Sequence, residues 1–287
     1  MHATRAPAGP ACPDCRYPNP ERAAVCALCG HVLRRPAARP MPPEPGPSGP
    51  APERVCGLPA PLFALLAGLL LLPAFVGLPV VNLMAWFFGA LTHELGHSLV
   101  AWAFGMPAYP AIRLDGHAAS IHEPQQLWLA GAIWVGLMAL AWRCRRSRPG
   151  LVLALAAVLL YPLLAGTSAR EVLHLLGGHL GELAFGGVFF WRAMRAGFTA
   201  SRVEQVLYAL VAWALVYGNL KLCFGLLTDA WAREVYAESG SFGLTNDYIR
   251  LAEDVLGWPL RSVALGMLLV ALVPLPAAIV AHIWTDE

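Results

Sequence analysis

The chain has 287 residues, of which 57% are hydrophobic and 13% are charged, and its mean hydropathy is +0.56. A chain this long and this apolar is not a water-soluble globular protein, so we expect a polytopic membrane protein in contact with the lipid bilayer. The formal net charge of +2 gives no indication of a nucleic-acid partner, and none is expected.

The N-terminal segment, residues 1–35, carries two Cys-x-x-Cys pairs separated by ten residues. The four cysteines are Cys12, Cys15, Cys26 and Cys29. Four thiolates at this spacing can close a tetrahedral structural zinc site, and Gly30 lets the backbone turn back toward the metal. The alternative is a pair of disulfides, which would require an oxidising compartment.

This segment resembles the short zinc ribbons and the Ran-binding-protein-type zinc fingers, and Asn19 falls where the latter fingers have an asparagine. Those fingers carry a tryptophan before the first cysteine, but Pro10 and Ala11 stand there, so their binding of RNA or ubiquitin is not expected. Residues 36–57 form a Pro-rich linker without a core. We therefore predict a tethered zinc ribbon that binds a protein partner, followed by a transmembrane domain at 58–287.

Seven apolar stretches in this domain are candidates for membrane spans, since crossing a bilayer takes about 20 apolar residues. They run over 58–78, 79–105, 127–142, 151–165, 171–191, 203–227 and 260–284. We therefore predict an all-α bundle of about seven transmembrane helices. Arginine-rich loops at 143–148 and 192–202 would share one face, which the positive-inside rule makes cytoplasmic. We expect a location in the bacterial inner (cytoplasmic) membrane.

Residues 92–98 read Thr-His-Glu-Leu-Gly-His-Ser, inside an otherwise apolar run. On an α-helix, His93 and His97 lie one above the other on one face, where both can bind one metal ion. Two neutral imidazoles on Zn²⁺, with Glu94 to accept a proton from water, are the groups of a zinc hydrolase. The alternative is a pair of core histidines satisfied by neighbouring hydroxyls and carbonyls, which leaves Glu94 unexplained.

Residues 93–105, His-Glu-Leu-Gly-His-Ser-Leu-Val-Ala-Trp-Ala-Phe-Gly, resemble the active-site helix of the site-2 protease family of intramembrane zinc metallopeptidases. The resemblance is specific to this helix. It implies that His93 and His97 bind a catalytic zinc ion and that Glu94 is the catalytic base. It also implies a membrane-anchored protein substrate, cut in or near its transmembrane helix.

A catalytic zinc ion has three protein ligands and a water molecule, so one ligand lies outside the motif. The family takes an aspartate from a Leu-Asp-Gly sequence in a later membrane segment. The only such sequence here is 114–116, in the loop just after the second span, so we reject Asp115. Asp247, late in the chain and on the same face as the motif, is the first choice, with His179 and Glu182 as alternatives.

One face of the fifth span is polar, because Glu171, His174 and Glu182 fall on it at 100° per residue. We predict that Glu171 and His174, together with Asn246, orient the zinc-binding imidazoles through hydrogen bonds. Three nearby glycines would let another helix approach closely. They are Gly177, Gly178 and Gly181.

The sequence therefore predicts an intramembrane zinc metalloprotease with one catalytic and one structural zinc ion. Two alternatives stay open. A catalytically inactive membrane scaffold would bind partners through its zinc ribbon, which the missing family motif at the third ligand would favour. A zinc-dependent membrane hydrolase or transporter acting on lipids or small amides would be favoured by the polar face of the fifth span.

Overall fold

The computed structural model describes residues 8–20, 23–33, 54–113, 117–195, 201–239 and 246–286. The chain divides into two compact units, Met1–Ala51 and Pro52–Glu287. Most of the linker predicted at 36–57 lies outside the described residues, and so does Asp115.

The N-terminal unit folds around its cysteine pairs. Two short antiparallel strands, β1 (Ala8–Ala11) and β2 (Pro18–Pro20), flank the first pair. The residue after each pair is in the left-handed region, Arg16 at φ 58° and Gly30 at φ 75°. In both turns the N–H of this residue donates to the carbonyl of the first cysteine in the pair. The predicted turn at Gly30 is present, and the first pair makes the same turn with a side chain that disfavours it.

The larger unit is helical apart from two hairpins. The first pairs β3 (Arg54–Val55) with β4 (Leu58–Pro59), and the second pairs β5 (Ala108–Ile112) with β6 (Ala118–His122). The helices are α1 (Ala60–Gly77), α2 (Pro79–Ala103), α3 (Leu127–Arg143), α4 (Arg148–Ala165), α5 (Ala169–Met194), α6 (Arg202–Thr228), α7 (Ala230–Glu238), α8 (Asp247–Arg250), α9 (Leu260–Ala271) and α10 (Pro274–Asp286). A π-helical turn, Leu251–Leu256, continues α8 and ends at Gly257.

Six helical segments in the described part of the chain are long and apolar enough to cross a membrane. They are Ala60–Gly77, Leu127–Arg146, Arg148–Ala165, Ala169–Met194, Arg202–Thr228 and Leu260–Thr285, the last combining α9 and α10. Many apolar side chains on these segments are exposed, Leu70 and Leu159 among them, as contact with lipid would require. The seven predicted stretches correspond to these six segments and to α2, whose 25 residues include the polar motif. The chain is an integral membrane protein, and the predicted all-α bundle is confirmed.

The central helix of the bundle is α5, which packs against both α2 and α6, while α6 also packs against α1 and α9. Glycines bring α2 and α5 into backbone contact. A Cβ added to Gly96 would overlap the carbonyl oxygen of Gly177, and one added to Gly181 would come within 2.7 Å of Gly96 Cα. Gly177 and Gly181 are four residues apart, the spacing that lets membrane helices touch through their backbones. The helix that approaches this face of α5 is therefore α2.

Short α8 is held in place by Tyr248, which is fully buried. The Tyr248 ring lies 4.3 Å from the His179 ring, and its hydroxyl lies 3.9 Å from Cys223 Sγ. The β5–β6 hairpin packs on α2, and the hydroxyls of Ser98 and Ser120 are 2.9 Å apart across this contact. The motif of α2, the first half of α5, the second half of α6, and α8 consequently surround one region.

We expect Gly181→Ala to lower the melting temperature of the detergent-solubilised protein, because the added methyl group must push α2 away from α5. Overpacking of this kind destabilises a protein by about 1–3 kcal/mol. Gly136→Ala in α3 is the matched control, since a Cβ there meets nothing within 4 Å and alanine favours the helix. Equal melting temperatures for the two variants, measured by thermal unfolding, would contradict the backbone contact.

Candidate metal centre

Two imidazoles and one carboxylate converge near the end of α2. Nε2 of His93 and Nε2 of His97 are 3.1 Å apart, and Oδ2 of Asp247 is 3.2 Å from the first and 3.0 Å from the second. Ligand atoms bound at 2.0–2.1 Å to one tetrahedral zinc ion lie about 3.3 Å from one another. The triangle therefore has the size that a single metal ion needs, and its third corner is the aspartate favoured from the sequence.

The other nitrogen of each ring is paired with an acceptor. Nδ1 of His97 donates to the backbone carbonyl of His174 at 2.6 Å, and Nδ1 of His93 donates to Oε1 of Glu182 at 3.2 Å. A neutral imidazole has one N–H, so both Nε2 atoms carry a bare lone pair. With Asp247, three acceptor atoms then face one another within 3.2 Å, and a cation between them removes their repulsion.

A third imidazole borders the same point. Asn219 donates through Nδ2 to Oε2 of Glu182 and to a backbone carbonyl of α6, so its Oδ1 accepts from Nδ1 of His179 at 2.9 Å. Nε2 of His179 is therefore bare as well. His93, His179 and Asp247 offer ligand atoms within 4.8 Å of one another, a group that could hold a metal ion.

The two overlapping ligand sets share His93 and Asp247 and differ in the third residue. In the set with His97, the three ligand atoms are 3.0–3.2 Å apart. This spacing matches the spacing around one tetrahedral ion. We therefore take His93, His97 and Asp247 as the ligand set that the geometry favours, with His179 beside it.

Gly178 of α5 keeps the space between the imidazoles open. A Cβ at this position would lie 2.5 Å from Nε2 of His97 and would overlap Nε2 of His93. Any side chain here would fill the region where the lone pairs meet. The glycine is thus part of the ion site although it offers no ligand atom.

A cavity of about 700 Å³ opens onto the triangle, and Glu94 lies on its wall together with His93, His97 and Asp247. His179 does not contribute to this wall. Glu94 is 7% exposed, and within the described residues no protein group donates a hydrogen bond to its carboxylate. The carboxylate is thus available to a water molecule beside the ion site.

The three residues predicted to orient the imidazoles have different surroundings. His174 contacts His97 in two ways: its backbone carbonyl accepts from Nδ1 of His97, and the two ring centroids are 5.2 Å apart. Asn246 lines the cavity, and its amide donates to a backbone carbonyl of α7 and to the hydroxyl of Ser239. Glu171 is exposed near the start of α5, and the described structure gives it no contact with the site. Only His174 therefore touches a ligand imidazole.

Glu182, an alternative third ligand in the sequence analysis, accepts hydrogen bonds from His93 and Asn219. Its carboxylate fixes the His93 ring, which is the usual arrangement behind a metal-binding histidine. Asn219 was missed from the sequence. The available signal was a single asparagine within the 27-residue apolar helix α6, where a polar side chain needs a partner.

The four cysteines of the N-terminal unit form a second group that could hold a metal ion, because their Sγ atoms lie within 4.8 Å of one another. Sγ of Cys12 is 3.6 Å from that of Cys29, and Sγ of Cys15 is 3.5 Å from that of Cys26. A disulfide bond is about 2.05 Å long, so the cysteines are free thiols here. The arrangement is consistent with a zinc ribbon.

Hydrogen bonds in the N-terminal unit favour a thiolate at Cys26. The backbone N–H of Cys29, that of Leu28 and the Asn19 amide lower the pKa of the Cys26 thiol to about 6. Asn19 is buried, and its Oδ1 also accepts from the N–H of Ala27 at 3.0 Å. At neutral pH the Cys26 thiol is therefore mostly a thiolate, which is the metal-binding form of cysteine.

Comparisons with protein-family models, with curated proteins and with solved structures find no match for this chain. The likeness of residues 93–105 to the site-2 protease helix therefore stays a prediction. Any functional conclusion depends on the residues and the geometry of this chain.

We expect Asn219→Leu to weaken metal binding at the triangle by about 10–100-fold, because Glu182 and His179 lose the partner that fixes them. Chelator competition would measure this affinity in protein whose ribbon cysteines are replaced by serine. Asn82→Leu is the matched control: it makes the same change on the wall of the same cavity. If Asn219→Leu binds zinc as tightly as Asn82→Leu, the role of the asparagine is wrong.

Proposed function

We propose that this protein is an intramembrane zinc metalloprotease of the site-2 protease type. The observation that carries the proposal is the triangle of His93, His97 and Asp247, open to a cavity that Glu94 also lines. Three protein ligands, one open position and a neighbouring carboxylate are the composition of a catalytic zinc site. Both α5 and α6, which support the triangle, are long and apolar enough to cross a membrane.

The ligand chemistry favours Zn²⁺, since two imidazoles and one carboxylate are common zinc ligands. When bound, zinc supplies a Lewis acid that acidifies water and polarises a carbonyl. The chain holds His93 and His97 in one tautomer through Glu182 and the His174 carbonyl. The rings therefore need no reorientation when the ion binds, and the Glu182 carboxylate makes His93 a better donor.

In this proposal Glu94 is the catalytic base. Its carboxylate accepts a proton from water as the water oxygen attacks the carbonyl carbon of a peptide bond. The same proton then passes to the leaving amine as the C–N bond breaks. A buried carboxylate without a protein donor is suited to this role, because no hydrogen bond must be broken before it accepts the proton.

The substrate that we propose is a membrane-anchored protein. The cavity has apolar walls from α1, α2 and α6, and polar groups from β6 and α8. Such a cavity can accept an apolar segment and water together, as hydrolysis near a transmembrane helix requires. We further propose a location in the bacterial inner membrane and a protein partner for the zinc ribbon, whose exposed Leu28 and Val32 offer apolar contact surface.

We expect Glu94→Gln to retain zinc and to lose proteolysis, by at least about 100-fold in rate, because glutamine cannot accept the proton. The assay would follow cleavage of fluorogenic single-span peptides in phosphatidylcholine proteoliposomes. Glu171→Gln is the control, since the Glu171 carboxylate is exposed near the start of α5 and has no contact with the site in the described structure. Undiminished cleavage by Glu94→Gln would overturn the mechanism.

Metal analysis of the purified protein should find two zinc ions per chain. His93→Ala combined with His97→Ala should remove one, and Cys12→Ser combined with Cys15→Ser should remove the other. A single zinc ion that is lost when the cysteines are replaced would mean that the triangle binds no zinc. The catalytically inactive membrane scaffold would then be the better interpretation. Two ions with hydrolysis of lipids or small amides, but not of peptides, would favour the remaining alternative.

A further inference from the structure

Lys221 is the only lysine in a chain whose 20 basic residues are otherwise arginine. It lies in α6, two residues after Asn219 and seven before Thr228, so it is about 10 Å from the end of a membrane-crossing helix. An ammonium group at such a depth requires water, an anion or a route to the interface. The exposed ammonium group of Lys221 therefore needs a ligand, a solvated cavity or contact with lipid headgroups.

The cavity at the ion site provides this environment. Lys221 and Arg250 are the two basic side chains on its wall among the described residues, and Arg250 lies one turn after Asp247 in α8. Neither cation has an ion pair or hydrogen bond with another described side chain. The carboxylates of Glu182 and Asp247 contact the imidazoles, and that of Glu94 is available to water. Two positive charges on the wall are thus left without an anion.

A second cavity, of about 900 Å³, shares part of its wall with the first, including this lysine. The two share Tyr217, Gly218 and Lys221 of α6, and the second continues toward α7 and α9 past Ala232 and Leu268. Gly218 leaves open space, because a Cβ there would meet nothing within 4 Å. The two cavities are therefore neighbours along α6, and Lys221 lies on the wall of both.

We propose that Lys221, with Arg250, binds an aspartate or glutamate side chain of the substrate and so selects membrane segments that carry an acidic residue near the cleaved bond. This proposal deepens the proteolytic function and rests on it. A carboxylate suits the pair because both cations donate charge-assisted hydrogen bonds, which are stronger than hydrogen bonds between neutral groups. Substrates with a basic residue at that place would be rejected.

A phospholipid phosphate is the other anion within reach of a lysine in a membrane helix, since long basic side chains extend to headgroups. The placement favours the peptide. Lys221 lines both cavities, and it shares the inner one with the three metal-binding side chains. An anion bound there lies in the same cavity as the reacting groups.

The test measures binding separately from cleavage. Full-length Glu94→Gln protein, loaded with zinc in phosphatidylcholine vesicles, is titrated with fluorescent single-span peptides that differ only by aspartate, asparagine or lysine. The variable residue is moved along the peptide one position at a time. At one position the aspartate peptide should bind about tenfold more tightly than the asparagine peptide, the effect of one charge-assisted hydrogen bond.

Variants of Lys221 test whether the preference for the aspartate peptide depends on this lysine. Lys221→Met, of similar length and without charge, should weaken the preference for aspartate, and Lys221→Met combined with Arg250→Met should abolish it, while Lys221→Arg should keep it. Lys221→Glu should prefer the lysine peptide. Zinc content checks that each variant has folded, and Arg261→Met, at an exposed arginine of α9, is the control for loss of one positive charge.

The possible outcomes separate this proposal from the proteolytic one. Equal binding of aspartate and asparagine peptides at every position would overturn anion selection, and so would a preference that survives the combined Lys221→Met and Arg250→Met changes. Lysine-dependent binding of phosphatidylglycerol vesicles without any peptide preference would assign the site to lipid instead. Cleavage of the same peptides is followed in parallel with wild-type protein. Selective binding without cleavage would leave the anion site standing and would overturn the protease.

Discussion

The structure depends on one electrostatic constraint, the meeting of several lone pairs at a single point inside a membrane protein. With Nδ1 of His93 and of His97 as donors, neutral imidazoles have both Nε2 lone pairs facing Oδ2 of Asp247. In water such groups would separate and become hydrated. Here they are fixed by the fold, and a divalent cation is the simplest group that stabilises them.

Helix packing supplies the rigidity that this arrangement needs. Backbone contact at Gly96 and Gly181 sets the distance between α2 and α5, and Gly178 leaves room for an ion at the point of closest approach. The third corner of the triangle comes from a short helix, held by the buried ring of Tyr248. The three candidate ligands are thus positioned by helix packing rather than by flexible loops, and such positioning would keep the geometry of a metal site in the absence of the ion.

The sequence predicted the features that local chemistry decides. Cysteine spacing indicated the ribbon, the four-residue spacing of His93 and His97 put both rings on one face, and hydropathy predicted the helical bundle. Asp247 could be favoured because topology put late polar residues on the face of the motif. Contacts between residues distant in the sequence were harder to predict. Glu171 shares a helical face with Glu182, but the other helices cover only the later turns of that face.

Other features had no decisive signal in the sequence. The β5–β6 hairpin follows α2 in a stretch that reads as a loop, because its strands alternate only weakly between apolar and polar residues. Asn219 was hidden in an apolar helix, and its role appears only when α6 lies beside α5. Helix faces can be predicted from periodicity, whereas the choice of neighbour requires the packed structure.

The order of the ligands along the chain has a consequence for biosynthesis. His93 and His97 are made early, but Asp247 follows His97 by 150 residues, after α6. A partly synthesised chain therefore presents two imidazoles without the carboxylate that closes the triangle. If the triangle binds an ion as proposed, the ion can have all three ligands only after α8 has been made. Metal binding at this centre would then follow the synthesis of α6 and could precede that of the last two helices.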